Sequence, residues 1–249
     1  MVLNYGFTDG IYNGSYFSLL SIYPILQPDK EMGIVGGTGL FRLARGYAIV
    51  HTYQLNATTG DAIDGYNVVV DPESESSGAI AKATQAQDSE WAERVETGSE
   101  VITTLQFYFH DTLSGPNPSA IRIAKTLQPY NSSTQFGELV MIDDPLTVGL
   151  DPSSKIVGRG RGMYGSTGQT DSLLILVFNY QFSDGIYNGS SFNVHSICPM
   201  LRPDKELSIV GGTGLFRLAR GYAIVHTFSL DPITGDTIDG YNVTIITNV

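Results

Sequence analysis

The sequence predicts an all-β protein: an eight-stranded antiparallel β-barrel, preceded by a half-barrel fragment and a linker. Three observations predict it. Helical periodicity is almost absent, while apolar–polar alternation recurs between turn residues. Nine such segments crowd into residues 102–246, which suits a closed barrel or a sandwich, and the barrel is favoured because closure removes exposed edges. The chain also repeats itself: residues 4–68 and 179–243 are identical at 48 of 65 positions, and 34–52 recurs unchanged as 209–227.

The repeat sets the expected domain boundaries. Val2-Leu3-Asn4-Tyr5 stands where Val177-Phe178-Asn179-Tyr180 stands, in the middle of the pattern. Residues 1–70 therefore read as the C-terminal half of a domain, and residues 101–249 as a complete one. The chain looks truncated at its N-terminus. Residues 71–100 carry eight acids against Lys82 and Arg94 and are rich in Ser, Ala and Gln. Such a stretch buries little and reads as an acidic linker, with at most a short helix near 88–96.

Within the complete domain the strands are expected at 102–111, 119–126, 136–142, 156–164, 172–182, 191–197, 207–211, 216–229 and 238–246. Turns separate them: Gly115-Pro116-Asn117-Pro118, Asp143-Asp144-Pro145, Asp151-Pro152, Ser183-Asp184-Gly185, Pro203-Asp204-Lys205 and Asp231-Pro232. Each has a mechanism, with Pro fixing φ, Gly permitting positive φ and Asp bonding its own backbone. Alternation puts Phe107, Phe109 and Asp111 on one face of their strand. Leu218, Arg220 and Tyr222 share one face of another, opposite the small residues Ala219, Gly221 and Ala223. A barrel of this size is wide enough to hold one small ligand.

Composition excludes several classes of function. Fourteen basic against 25 acidic residues leave a net charge of −11, which disfavours nucleic acid and anionic membrane as partners. No apolar run approaches the ~18 residues of a membrane span. The lone Cys198 rules out an internal disulfide and reads as a small buried residue. His51, His110, His195 and His226 lack metal-site spacing, so no metal site is expected. Asn-x-Ser/Thr sequons at Asn13, Asn56, Asn131, Asn188 and Asn242 suit a secreted glycoprotein, although no signal peptide precedes them. Two glycine runs imitate nucleotide loops. Gly158-Arg159-Gly160-Arg161-Gly162 leads into a strand and not a helix, and Gly211-Gly212-Thr213-Gly214 lacks the Lys-Ser/Thr ending of a phosphate loop.

Five motifs in order carry a family resemblance: Phe107-Tyr108-Phe109-His110-Asp111; Phe136-Gly137 before Asp143-Asp144-Pro145-Leu146-Thr147; the stretch 158–162; Asp184-Gly185-Ile186-Tyr187-Asn188-Gly189-Ser190; and 211–223. On these the complete domain resembles the plant dirigent family, and residues 2–70 resemble its second half. The resemblance implies a calycin-like barrel, secreted to the apoplast and assembled as a homodimer or homotrimer. It implies a protein that steers the coupling of phenoxy radicals, such as those of monolignols, without oxidising power of its own. A separate laccase or peroxidase supplies the radicals, and no cofactor is used. The alternatives are a cyclase or dehydratase acting on a quinone methide, as in pterocarpan formation, and a barrel that only binds phenolics or glycans.

The resemblance also implies site residues. Asp111 becomes an acid/base, Arg220 an orienting cation, and Tyr164, Phe107 and Phe109 the lining. Asn131, Asn188 and Asn242 become glycosylation sites. Each has a plainer reading: Asp111 as a turn cap, Arg220 in a structural ion pair, Tyr164 as packing. Two departures bear on the product. Leu215 stands where lignan-forming members tend to carry an acid, and Cys198-Pro199 replaces their usual Asn-Pro.

Overall fold

The computed structural model describes residues 2–20, 29–71, 100–125 and 134–248. Fourteen strands form two antiparallel sheets. The first holds β1 (Val2–Gly6), β2 (Tyr16–Leu20), β3 (Asp29–Thr38), β4 (Arg45–Leu55) and β5 (Ala62–Asp71) in sequential order. The second holds β6 (Glu100–Asp111), β7 (Ala120–Ala124), β8 (Leu139–Thr147), β9 (Ile156–Ser166), β10 (Leu173–Phe182), β11 (Ser191–Pro199), β12 (Asp204–Thr213), β13 (Arg220–Leu230) and β14 (Thr237–Asn248). Its order is β6-β14-β13-β12-β11-β10-β9-β8-β7, and a pairing of β6 with β8 closes it. Eight strands make the ring, and the short β7 lies beside β8.

The nine expected strands of the complete domain are present in order, with one correction. Asp143-Asp144-Pro145, read as a turn, lies inside β8. Along β8 the neighbour changes: Val140 and Ile142 face Arg122 and Ala120 of β7, whereas Leu146 and Thr147 face Phe109 and Tyr108 of β6. Pro145 sits at the changeover, where its missing N–H costs no ladder bond on that side. The alternation runs straight through it, with Val140, Ile142, Asp144 and Leu146 all buried on the inner face.

Burial by alternate residues fills about half of the barrel with aromatic rings. Phe107 stacks on Tyr241 at 5.1 Å and Tyr180 on Phe192 at 4.9 Å, with Phe182 and Phe216 packed beside them. The Tyr180 hydroxyl donates to that of Tyr241 at 2.8 Å, so both buried phenols are satisfied. Gly160 is required by this packing, because a Cβ there would meet the Phe109 ring at 2.8 Å. The 158–162 glycine run is thus strand β9 under an aromatic lid. Gly214 has φ +62° and opens the short 3-10 turn Gly214–Phe216 that leads into β13.

The five-stranded sheet is the repeat in three dimensions: each of β1–β5 matches its counterpart in β10–β14. Phe17, Leu19, Met32, Ile34 and Val50 are buried where Phe192, Val194, Leu207, Ile209 and Val225 are buried in the barrel. Among the described residues its edges β1 and β5 have no further partner strand. The half-barrel lies against the outer surface of the complete barrel, through β3 on β12. Of the linker expected at 71–100, Asp71 ends β5 and Glu100 begins β6, and residues 72–99 lie outside the described residues.

Candidate active site

The half of the barrel not filled by rings is an open cavity of about 340 Å³. Asp111, the last residue of β6, lines it, as do Phe109 from the same face and Tyr164 from β9. The polar edge of the cavity therefore comes from the strand end at which the ring closes. Phe107, expected as lining, is 2% exposed and lies deeper, in the aromatic core behind Phe109. It supports the cavity and does not line it.

Asp111 faces into an apolar setting. Burial is the largest effect and pushes its carboxyl up to about 6. The Tyr164 hydroxyl approaches closely enough to lower it, Asp239 and Asp236 raise it, and the Arg122 guanidinium lowers it. One carboxylate oxygen, Oδ1, is buried without a hydrogen-bond partner. The Tyr164 phenol is raised in turn by burial and by the Asp111 charge, so it stays protonated as a donor.

A second acid lies beneath the first. Asp144 is fully buried, and neither of its oxygens has a hydrogen-bond partner; Ser119 is near enough to lower its pKa without closing a bond. Burial, then the charge of Asp111, push Asp144 up to about 8. A carboxyl at that value is mostly neutral at pH 7, and a neutral acid in an apolar site is a proton donor. Sequence reasoning missed Asp144 by placing it in a turn. The signal was present: it takes the inward step of the period-two run Val140, Ile142, Asp144, Leu146.

On the strands next to β6, Asp239 of β14, Thr227 of β13 and Lys205 of β12 form a polar group, with Asp239 directly across from Phe109. The Lys205 ammonium donates to the Thr227 hydroxyl, which donates to Asp239 Oδ1 at 2.5 Å. Lys205 Nζ lies 3.7 Å from the same carboxylate oxygen. All three line the cavity, as does Cys198, whose thiol burial pushes up to about 12. Cys198 is therefore a small buried residue of the wall.

Arg220 is not brought to the site. It begins β13 and pairs with Ile246, which pairs with Ile102. Asp111 lies nine residues further along β6, about 30 Å away at strand rise. Ala223 and Val225 point into the core, so Arg220 and Tyr222 point outward. The cation beside Asp111 is Arg122, which also bonds Glu138 Oε2 at 3.1 Å. Period two gave Arg220 its face correctly, but the pairing register put it at the wrong end.

The remaining expectations fall on the surface. Asn188, after the turn Gly185–Tyr187, and Asn242, on the outer face of β14, are exposed; Asn131 lies outside the described residues. His226 holds Asp204 at 2.7 Å on the exterior, away from the cavity. Among the described residues no group of three His, Cys, Asp or Glu could hold a metal, and no helix is long and apolar enough to cross a membrane.

The chain's complete domain is an eight-stranded barrel whose cavity is lined by Asp111 and Tyr164, with Asp144 buried behind them. The chain belongs to the dirigent family: the model for dirigent-like proteins matches residues 1–71 and 102–246. Dirigent protein 23 of Arabidopsis thaliana is 50% identical over 157 residues, which cover 63% of this chain and 84% of that protein. Pterocarpan synthase 1 of Glycyrrhiza echinata is 43% identical over 145 residues, 58% of this chain and 77% of that one. A solved structure of a pterocarpan synthase dirigent protein covers 61% of this chain and 88% of its own, at 40% identity and a TM-score of 0.56.

Proposed function

We propose that the complete barrel binds phenylpropanoid-type phenolics at the Asp111 cavity and imposes stereochemistry on their coupling. The observation that carries this reading is that Asp111 and Tyr164 line the cavity while Asp144 is fully buried behind them, with burial pushing both carboxyls up. Coupled phenoxy radicals give quinone methides. Ring closure follows when the quinone methide oxygen gains a proton and a hydroxyl attacks its exocyclic carbon. The acid pair, with the Tyr164 phenol, supplies and recovers that proton. Phe109 packs on the ring and the cavity walls fix the face that is attacked. The Lys205–Thr227–Asp239 group, on the strands beside Asp111, receives the oxygen substituents.

Nothing in this scheme oxidises the phenol, so a separate laccase or peroxidase supplies the radicals. Mixing the protein with coniferyl alcohol and a laccase, then resolving the products by chiral chromatography, tests it. An enantiomeric excess is expected, and racemic products equal to the laccase control would sink it. A second reading, turnover of a quinone methide precursor without any oxidase, is favoured by the likeness to pterocarpan synthases. Product formed in the absence of laccase separates the two. Secretion to the apoplast, with glycans at the exposed Asn188 and Asn242, accords with such substrates.

A further inference from the structure

The half-barrel keeps the inner wall of a barrel whose other half it lacks. Tyr5 lies 5.2 Å from Tyr66 at 59°, as Tyr180 lies 5.4 Å from Tyr241 at 54°. Tyr12 stacks on Phe41 at 5.5 Å and 9°, as Tyr187 stacks on Phe216 at 5.6 Å and 15°. Phe17 meets Phe41 edge-on, as Phe192 meets Phe216. The polar group recurs as well: Lys30 Nζ donates to the Thr52 hydroxyl at 2.6 Å, and that hydroxyl donates to Asp64 Oδ1 at 2.6 Å. In the complete barrel this wall faces β6–β9, and Phe107 of β6 stacks on Tyr241. Among the described residues no strand like β6 or β9 pairs with β5 or β1, yet the wall keeps its shape.

The strands β6–β9 ask of their neighbours what the half-barrel also has. β9 turns Gly158 and Gly162 toward β10, where a Cβ would strike the main-chain oxygens of Gln181 and Val177. Those glycines admit a backbone, and β1 carries one of the same pattern, with Val2 to Gly6 aligned on 177–181. β6 pairs with β14, with Phe107 across from Tyr241 and Gln106 across from Asn242. β5 repeats that strand: Ile63-Asp64-Gly65-Tyr66-Asn67-Val68 is identical to 238–243.

The order of the strands fits too. Asn248, at the end of β14, lies across from Glu100, at the start of β6. Chain positions that lie so close can be joined and the ring opened elsewhere, which is circular permutation. Residues 2–166 have that order: β1–β5, then 72–99, then β6–β9. Their ring would run β6-β5-β4-β3-β2-β1-β9-β8, opened between β9 and β1 where the described barrel continues from β9 into β10.

We propose that the chain folds into two barrels that share the strands β6–β9. In the described one β10–β14 close on them; in the other, a circular permutant, β1–β5 take that place. Asp111, Asp144 and Tyr164 belong to both, because all three lie on β6–β9. The facing wall changes. Phe178, whose ring meets Tyr164 edge-on at 6.4 Å, gives way to Leu3, and Leu207 to Met32. On the phenolic reading above, one acid pair thereby serves two cavity shapes. The described barrel is the major form: β10 follows β9 after residues 167–172, whereas β5 reaches β6 through 72–99, and the longer loop costs more to close.

Disulfide trapping in the full chain, with Cys198→Ala, tests this. Gln106→Cys with Asn67→Cys reports the permuted barrel, and Gln106→Cys with Asn242→Cys the described one; all three positions are exposed. A disulfide needs Cα atoms within ~7 Å, so each bond reports its own strand pairing. After oxidation, non-reducing gels and peptide mass mapping count the bonds. The Asn242 pair should cross-link most chains, and the Asn67 pair a minor fraction, within single chains. Two glycines move the balance in opposite directions. A Cβ at Gly221 would meet Thr244 O at 2.0 Å across β13 and β14, and one at Gly46 would meet Val69 O at 2.0 Å across β4 and β5. Gly221→Ala should make the Asn67-pair bond the major product, and Gly46→Ala should abolish it. Near-UV circular dichroism should survive Gly221→Ala, because β1–β5 take over, and be lost when both glycines are replaced. A Gly221→Ala chain that unfolds, or stays folded without the Asn67-pair bond, overturns the proposal. So does an Asn67-pair bond found only between two chains. Each readout concerns pairing alone, so a barrel that steers no phenolic coupling leaves the result standing.

Discussion

The charge of Asp111 raises the pKa of Asp144, the fully buried acid beneath it. β6 ends at Asp111 at the point where β8 passes from β7 to β6 as its neighbour. The ring closes there, and the two carboxyls line opposite sides of that closure. In the proposed reaction this pair holds a proton near neutral pH, because each charge makes the other carboxyl harder to ionise.

Replacing Asp111 by Asn keeps the size and removes the acid. Product steering or turnover should fall at least about tenfold, about 1.4 kcal/mol in the relevant barrier. Tm should hold or rise, because burying the charged carboxyl is unfavourable. Chiral chromatography beside a thermal melt checks both. Stereoselectivity that survives intact would return Asp111 to the role of a turn cap.

Stability should depend on Asp144 with a definite sign. Its folded pKa of about 8 lies above the ~3.9 of a free aspartate. The folded state then binds the extra proton between those values, so stability is fully present below about 4 and declines as pH rises through about 8. Urea melts across that window should show the decline, and Asp144→Asn should flatten it. A pH dependence unchanged by the substitution would mean that Asp144 is ionised in the folded protein.

The two arginines should separate cleanly. Arg220→Ala should leave stereoselectivity and turnover unchanged, since it points outward at the far end of β13. Arg122→Ala should move the pH profile upward, because Arg122 holds the Asp111 pKa down. Rate–pH profiles of the two variants decide this. Loss of steering in Arg220→Ala with Arg122→Ala silent would refute the placement.

The Tyr180–Tyr241 hydroxyl pair should behave as a unit. Tyr241→Phe leaves the Tyr180 hydroxyl unpaired in a fully buried site and should cost about 1–3 kcal/mol. The double variant Tyr180→Phe/Tyr241→Phe should recover most of that. A double-mutant cycle by urea denaturation measures it, and additive losses would show that the two phenols do not depend on each other.

The sequence by itself determined the strands, the repeat and the faces. Period-two alternation needs only local chemistry, so Phe109 and Asp111 could be put on one face and Arg220 opposite Gly221 before any pairing was known. The offset of the repeat carried the half-barrel strand by strand. What only the tertiary structure decided was register and coverage. Asp144 looked like a turn because Asp-Asp-Pro is a turn signal; its inward step was legible, but only the pairing shows that β8 changes neighbours at Pro145, where a proline is tolerated. Arg220 was put beside Asp111 by the family resemblance, whereas position along a barrel is set by pairing through β14. Identical residues, Thr38 and Thr213, ended buried and exposed for the same reason: burial belongs to whatever packs against a surface, and that lies elsewhere in the chain.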